Sequence, residues 1–298
     1  MELQNLKTFM TIAKLGSFSK AAELLDYAQS SVSAQIKALE NELGTRLFER
    51  LGREIYLTEE GKRLMVYAEQ LLRLEEETRE SISGNTIPKG TLTIGAPESL
   101  SIYRLPALLQ EYRKRYPQVK LILKLGSCHD IRGWIRKNIV DLGFIIDTPS
   151  TENDLVVHCL TRETMTLFSG INHPLTQKTL LLAEDLAGED LILVEEDACC
   201  YRMIFETQLT SAGVQPSSIQ EFGSVETIKK CVSSGLGISI LPQIAVEDEI
   251  NQGLLKRLAW QNFDFNIFTQ MLYRKDKWLS PALTVMIGLV KETFQVNQ

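Results

Sequence analysis

Cysteine is scarce and unpatterned: Cys128, Cys159, Cys199, Cys200 and Cys231 are the five present, and no two form a C-x-x-C pair. An odd, unspaced set excludes a disulfide framework and fits a reducing cytoplasm. Histidine is scarcer still. His129, His158 and His173 have neither H-x-x-x-H nor H-E-x-x-H spacing, so neither zinc nor any other cofactor is expected. No apolar run approaches the roughly 18 residues of a membrane span. Met1-Glu2-Leu3-Gln4-Asn5 carries no basic flank before an apolar stretch, so a signal peptide is not expected either. A G-x-S-x-G elbow and a G-x-x-x-x-G-K phosphate loop are both missing, and Gly235-Leu236-Gly237 precedes a strand instead of opening a helix; these absences weigh against an enzyme. There is no surplus of positive charge. The net charge is −6, and residues 1–64 balance nine Lys/Arg against nine Asp/Glu, so only the placement of individual residues supports contact with nucleic acid.

What is present reads as a globular chain of two or three units: 298 residues, 44% hydrophobic and 23% charged. Leu3, Leu6, Phe9, Met10 and Ala13 have helical spacing, and Gly16 ends that helix. Ser17 caps a second helix holding Ala21, Ala22, Leu24 and Leu25, and a turn at Asp26-Tyr27-Ala28 leads to a third, from Gln29 to Leu43, closed by Gly44. Its buried stripe is predicted to be Val32, Ile36, Leu39 and Leu43, while Leu6, Phe9, Ala22, Leu25, Leu47 and Phe48 complete the core. Residues 47–50 and 53–57 flank Leu51-Gly52 as a β-hairpin. Thr58 then caps a long helix with Glu59 and Glu60 at its positive end. Leu57, Leu64, Ala68, Leu71, Thr78 and Ile82 form a coiled-coil-like seam, interrupted by Gly61 and Glu75, on a rod roughly 40 Å long. The seam is either a packing face against its own chain or a dimer interface; because a lone rod of that length does not bury its stripe, a second copy is the preferred expectation. Residues 83–90 read as a hinge.

From Thr91 strands and helices alternate, with strands at 92–95, 119–125, 142–146, 167–169, 191–194 and 238–241. Helices fall near 101–116, 129–137, 200–212, 225–235 and 281–294. The alternation predicts α/β units around a mainly parallel sheet.

Four runs then stand together: Gly16-Ser17-Phe18-Ser19-Lys20-Ala21-Ala22-Glu23-Leu24-Leu25, Gln29-Ser30-Ser31-Val32-Ser33-Ala34-Gln35-Ile36-Lys37-Ala38-Leu39-Glu40, Leu43-Gly44-Thr45-Arg46-Leu47-Phe48-Glu49-Arg50, and Leu57-Thr58-Glu59-Glu60-Gly61. This pattern resembles the LysR-type transcriptional regulators, densely over residues 1–65 and loosely onward through Gly95-Ala96, Asp141-Leu142-Gly143 and Ser234–Pro242. Lys20 and Ser30 depart from it, in place of a small residue and of proline. The resemblance implies a winged helix-turn-helix (1–58), a linker helix and hinge (59–90), and a two-lobed, periplasmic-binding-protein-like α/β effector domain (91–298). Lobe I would hold 91–161 and 269–298, and lobe II 162–268. Implied partners are double-stranded promoter DNA, a small-molecule effector, a second copy joined through the linker helix in a homodimer and then a homotetramer, and RNA polymerase.

On the third helix Ser30, Ser33, Ala34, Lys37 and Asn41 point away from the buried stripe, and short polar side chains at its N-terminal end suit the major groove. Gln29 pairs bidentately with adenine and Ala34 meets a thymine methyl, whereas Ser31, Ser33 and Lys37 suit phosphates. Arg50 and Arg53 at the hairpin suit a narrow minor groove, and Ser17 and Ser19 complete the set. Effector candidates lie beyond strand ends, where helices begin: Ser99 and Ser101, then Ser127, Cys128 and His129, then Cys200, with Ser224 across the lobe interface. In the resembled family Ser99 and Ser127 correspond to effector-contacting positions. Helix capping alone would also place serines there. A carboxylate suits these donors, although Glu98, Glu195, Glu196 and Asp197 would repel one if they faced the cleft. The adjacent Cys199 and Cys200 give an alternative, a thiol-based redox regulator.

Overall fold

Helix α1 (Leu3–Leu15) forms around Leu6, Phe9, Met10 and Ile12, whose spacing puts them on one buried face; it stops at Gly16. Helix α2 (Phe18–Leu25) starts where Ser17 Oγ accepts the Lys20 N–H at 3.3 Å. Helix α3 (Gln29–Leu43) buries Val32, Ile36 and Leu39 and ends at Gly44, whose φ of 69° is left-handed and favours glycine. The predicted stripe is one residue too long, because Leu43 lies in the last turn and is exposed, and Leu25 is only half-buried. Lys20 and Ser30 are exposed and leave both helices intact. Strands β1 (Phe48–Leu51) and β2 (Glu54–Leu57) pair antiparallel, with Phe48 opposite Leu57. The Phe48 ring packs 5.2 Å from Phe9 and 5.7 Å from Phe18, fastening the wing to the helices.

A knot of hydrogen bonds leads into α4 (Glu59–Ser83). Leu47 N–H donates to Glu40 Oε1 at 2.8 Å, and the Leu47 carbonyl accepts Thr58 N–H at 3.1 Å. Thr58 Oγ1 donates to the Arg46 carbonyl at 2.7 Å and accepts Gly61 N–H at 3.0 Å. These contacts account for the spacing of the Leu-Gly-Thr-Arg-Leu-Phe and Leu-Thr-Glu-Glu-Gly runs. The predicted seam divides in two. Ala68 is buried and Leu57, Leu64, Met65 and Leu72 pack on the core of α1–α3, whereas Tyr67, Leu71, Leu74 and Ile82 stay exposed. The α4 helix is therefore part of the N-terminal unit and not a free linker: the chain separates into Met1–Asn85 and Thr86–Gln298.

The second unit holds two five-stranded sheets among the residues that the computed structural model describes, which are 1–51, 54–83, 86–195, 199–261 and 265–295. In the first, β3 (Gly90–Ala96) lies between β4 (Val119–Leu125) and β5 (Leu142–Asp147), both parallel to it; β6 (Leu155–Arg162) and β12 (Phe268–Arg274) extend the sheet in the order β4-β3-β5-β12-β6. The second has the order β11-β7-β10-β8-β9, from β7 (Met165–Gly170), β8 (Asp190–Val194), β9 (Ser218–Phe222), β10 (Ile238–Pro242) and β11 (Leu255–Leu258). The expected mainly parallel sheet is thus corrected to two mixed sheets. Crossover helices keep β3, β4 and β5 parallel, and likewise β8, β9 and β10. The chain crosses between sheets after β6 and again before β12; β12 runs antiparallel to its neighbours β5 and β6, and β7 antiparallel to its neighbours β10 and β11.

Helices α5 (Glu98–Tyr103) and α6 (Leu105–Arg115) replace the single helix expected at 101–116, with the break just before Pro106. Helices α7 (Cys128–Arg136), α8 (Cys200–Ser211), α9 (Val225–Ser233), α10 (Gln243–Asn251) and α11 (Pro281–Thr293) complete the unit. Both sheets feed one apolar core, in which Leu92, Phe144 and Met271 belong with Leu167, Phe205 and Ile240. Lys277 Nζ lies 3.0 Å from Asp141 Oδ1, both side chains nearly inaccessible, and Asp141 Oδ2 accepts the Thr93 N–H at 2.8 Å. Lys277→Met strands that carboxylate without its cation, and should lower the urea-unfolding stability of the second unit by about 3–5 kcal/mol. An unchanged midpoint would refute that role.

Candidate functional site

The first unit presents an exposed face of α3 opposite its buried stripe. Gln29, Ser30, Ser31, Ala34 and Lys37 are exposed, and Ser33 is half-buried. Gln35 is turned inward, accepting Thr8 Oγ1–H at 2.6 Å, which fixes the rotation of α3 on α1 and hence the direction of that face. Lys37 makes no ion pair among the described residues, so its ammonium is available to an external anion. A groove beside it runs over Ser33, Lys37 and Asn41 of α3, then Arg46 and Glu49 toward the wing, with Phe18 and Phe48 at its floor. Arg46 is exposed there and adds a second cation that spacing alone did not single out. Ser19 is exposed, while the Ser17 hydroxyl is engaged in capping α2. Of the wing arginines, the Arg50 backbone pairs with Ile55, whereas its side chain and Arg53 lie outside the described residues.

In the second unit Ser224 and Cys200, among the effector candidates, make contacts between the two lobes, and the candidate hydroxyls differ in availability. Ser99 is 4% exposed and its hydroxyl has no partner among the described residues; Ser101 Oγ is buried and likewise unpartnered. Ser127 is committed. Its Oγ accepts the Asp130 N–H at 3.0 Å and donates to the Asp130 carboxylate at 2.8 Å, a capping box at the start of α7. His129 is exposed on the same turn. Ser224 caps α9 and also donates to Glu98 Oε1 at 3.0 Å, while the Val225 N–H donates to Glu98 Oε2 at 2.6 Å. The N-terminus of α9 therefore already holds a carboxylate, supplied by the other lobe. This answers where Glu98 points. Glu195 is exposed, and Glu196 and Asp197 lie outside the described residues.

Further clasps follow along the same boundary. Tyr103 bonds to Glu226, and Lys229, 3% exposed, reaches the Tyr103 hydroxyl at 2.5 Å and Glu249 at 2.7 Å. Burial, aided by Glu226, pushes the Tyr103 phenol up to about 12. Arg104 pairs with buried Glu163 at 2.7 Å. The Cys128 and Cys200 thiols both donate to the Ile146 carbonyl. Burial pushes the Cys128 thiol up to about 12, and burial with the neighbouring Asp147 carboxylate raises Cys200 further. No group of three or more His, Cys, Asp or Glu suited to a metal ion occurs among the described residues.

A winged helix-turn-helix with a polar recognition face, followed by a two-lobed α/β unit, defines a ligand-responsive DNA-binding regulator. Family models bear this out across the chain: the bacterial regulatory helix-turn-helix protein, lysR family, matches residues 3–62, and the LysR substrate binding domain matches residues 86–295. The chain belongs to the LysR family of transcriptional regulators and is not an enzyme. It is 42% identical over 296 residues to the HTH-type transcriptional regulator YwqM of Bacillus subtilis, covering 99% of this chain and 100% of that one. It is 34% identical to GltR of the same organism, over 100% and 99% of the two chains. Among solved structures, full-length OxyR C199D from Pseudomonas aeruginosa aligns with a TM-score of 0.70 at 26% identity, covering 99% of this chain and 95% of that one. CbnR complexed with its target DNA aligns at 0.70 and 19% identity, over 98% and 100%, a likeness of fold.

Proposed function

We propose that this chain reads promoter DNA through the exposed face of α3 and changes that reading when a small molecule settles between its lobes. The carrying observation is that Gln29, Ser30, Ser31, Ala34 and Lys37 share one uncommitted face while Gln35 locks the opposite side inward. Gln29 reads an adenine, Ala34 meets a thymine methyl, and Ser31, Lys37 and Arg46 hold phosphates. Lys37→Ala should weaken binding to every sequence and lower the slope of log affinity against log salt by about 0.9. Gln29→Ala should relax preference at one base per half-site by about 1–3 kcal/mol. Titration of labelled promoter DNA at several salt concentrations measures both, and parental behaviour of both variants would remove α3 from the interface.

The effector is a small metabolite bearing a carboxylate, held by the unpartnered hydroxyls of Ser99 and Ser101, with Ser127 supporting the loop through its capping box. The protein acts in the cytoplasm as a homodimer through the exposed stripe of α4, pairing further into a tetramer on the promoter, where RNA polymerase is the partner. Thermal-shift screening of metabolites identifies the ligand, and calorimetry then ranks the serines. Ser99→Ala should weaken it about 3–10-fold, the worth of one hydrogen bond. Ser127→Ala should instead cost about 1 kcal/mol of stability with affinity little changed. Equal ligand affinity in the parent and Ser99→Ala would move the sensing site elsewhere.

A further inference from the structure

Two thiols from different parts of the chain meet at one oxygen. Cys128, opening α7, and Cys200, opening α8, direct their Sγ–H groups to the Ile146 carbonyl at 3.5 and 3.1 Å. The sulfurs are therefore no farther apart than those two distances laid end to end. Their helices serve different lobes: α7 packs on β3, β5 and β12 of the first sheet, whereas α8 follows β8 of the second. Neither thiol takes part in the DNA-reading face or in the serine contacts proposed for the effector. Sequence adjacency offers Cys199 with Cys200, but neighbouring residues bridge only through a strained ring. The through-space approach favours Cys128.

We propose that Cys128 and Cys200 are an inter-lobe disulfide pair, closed by exchange with a low-molecular-weight disulfide. Cys200 is half-buried and Cys128 buried, which orders the steps. The Cys200 thiolate attacks one sulfur of the reagent, breaking its S–S bond and forming a mixed disulfide; the thiolate released takes up the proton that Cys200 lost. The Cys128 thiolate then attacks Cys200 Sγ and expels the second half of the reagent, which is protonated in turn. The chain gives up two hydrogens to form one S–S bond, and the reagent leaves as two thiols. Cys128 needs no access to solvent, because it has only to reach Cys200. Burial holds both thiols protonated at neutral pH, so exchange is slow there and accelerates about tenfold per pH unit while the pH stays below their pKa values. The bridge ties lobe I to lobe II and fixes the angle between them.

The test uses the reduced full-length protein and excess bis(2-hydroxyethyl) disulfide, a neutral reagent, at mildly alkaline pH. The intact mass should fall by two hydrogens, and unreduced peptide mapping should join the Cys128 peptide to the Cys200 peptide. The denatured, unreduced chain should migrate faster in a gel, because the bridge closes a long loop that a Cys199–Cys200 link would not. Cys128→Ser should stop at the mixed disulfide on Cys200, and Cys200→Ser should form no bridge. An unchanged mass, a bridge mapped to Cys199–Cys200, or loss of two hydrogens by Cys128→Ser would each overturn the proposal.

Discussion

Replacing Gly61 by alanine is expected to destabilise the winged helix-turn-helix by about 3 kcal/mol, the upper end of what overpacking costs. A Cβ at this position would stand 2.2 Å from the Leu47 carbonyl oxygen and 3.0 Å from Leu57 Cδ2. The oxygen is backbone, held in place by the Thr58 N–H at 3.1 Å, so no flexible side chain can yield. Relief requires the start of α4 to back away, which breaks the Thr58 bonds to Leu47, Arg46 and Gly61 together. Urea unfolding of residues 1–85 within the intact protein, followed by a wing-sensitive probe, should show a lower midpoint, and promoter affinity should fall with it. A parental midpoint would mean that the close approach of α4 to the wing is not tight. In the sequence Gly61 reads as an interruption of an apolar seam and as the last residue of the Leu57–Gly61 run; the structure makes it the point where the helix closes on the residues before the wing.

Leu74→Glu combined with Ile82→Glu should dissociate the dimer proposed to form through α4. These side chains are 56% and 80% exposed in the single chain, so the substitution leaves each protomer folded and acts only where a second copy covers the stripe. Burying an unpaired carboxylate costs about 3–5 kcal/mol, enough to raise the dimer dissociation constant more than a hundredfold. Light scattering should report a monomer, and binding to an operator of two half-sites should collapse to the weak affinity of one head. A dimer that survives the double substitution would exclude α4 as the interface. Leu64→Glu is a different experiment: Leu64 packs on the α1–α3 core, and its replacement unfolds the head it belongs to.

The N-terminal unit was legible because its signals are local. Gly16, Ser17, Gly44 and Thr58 mark helix ends through contacts within a few residues, and each stands at such an end in the structure. The division of the α4 seam was not legible, since one three-four spacing serves two adjacent helix faces and only the packing of Leu64 and Ala68 separates them. Of the second-unit strands outside the predicted set, β6 does carry apolar residues (Leu155, Val156, Val157 and Leu160), whereas the others lack an apolar rhythm. Strand β9 is a largely exposed edge, β11 has four residues, and β12 buries Thr269 and Gln270 in the middle of its sheet. The candidate site was legible in position more than in role. Ser127 and Ser224 do stand at helix starts, and both are caps. The contacts that give Glu98 and Cys200 their meaning span 126 and 54 residues of sequence, beyond any spacing rule.

Glu98 behaves as a resident ligand. Because it is tethered, it presents its carboxylate to the α9 N-terminus at an effective concentration on the order of millimolar. Any free anion that uses Ser224 and the Val225 N–H must outcompete this built-in occupant, so its apparent dissociation constant at that seat exceeds the intrinsic one by the same factor that favours the occupied state. The start of α9 is thus filled by the chain's own carboxylate, and the two lobes are tied to each other at that point.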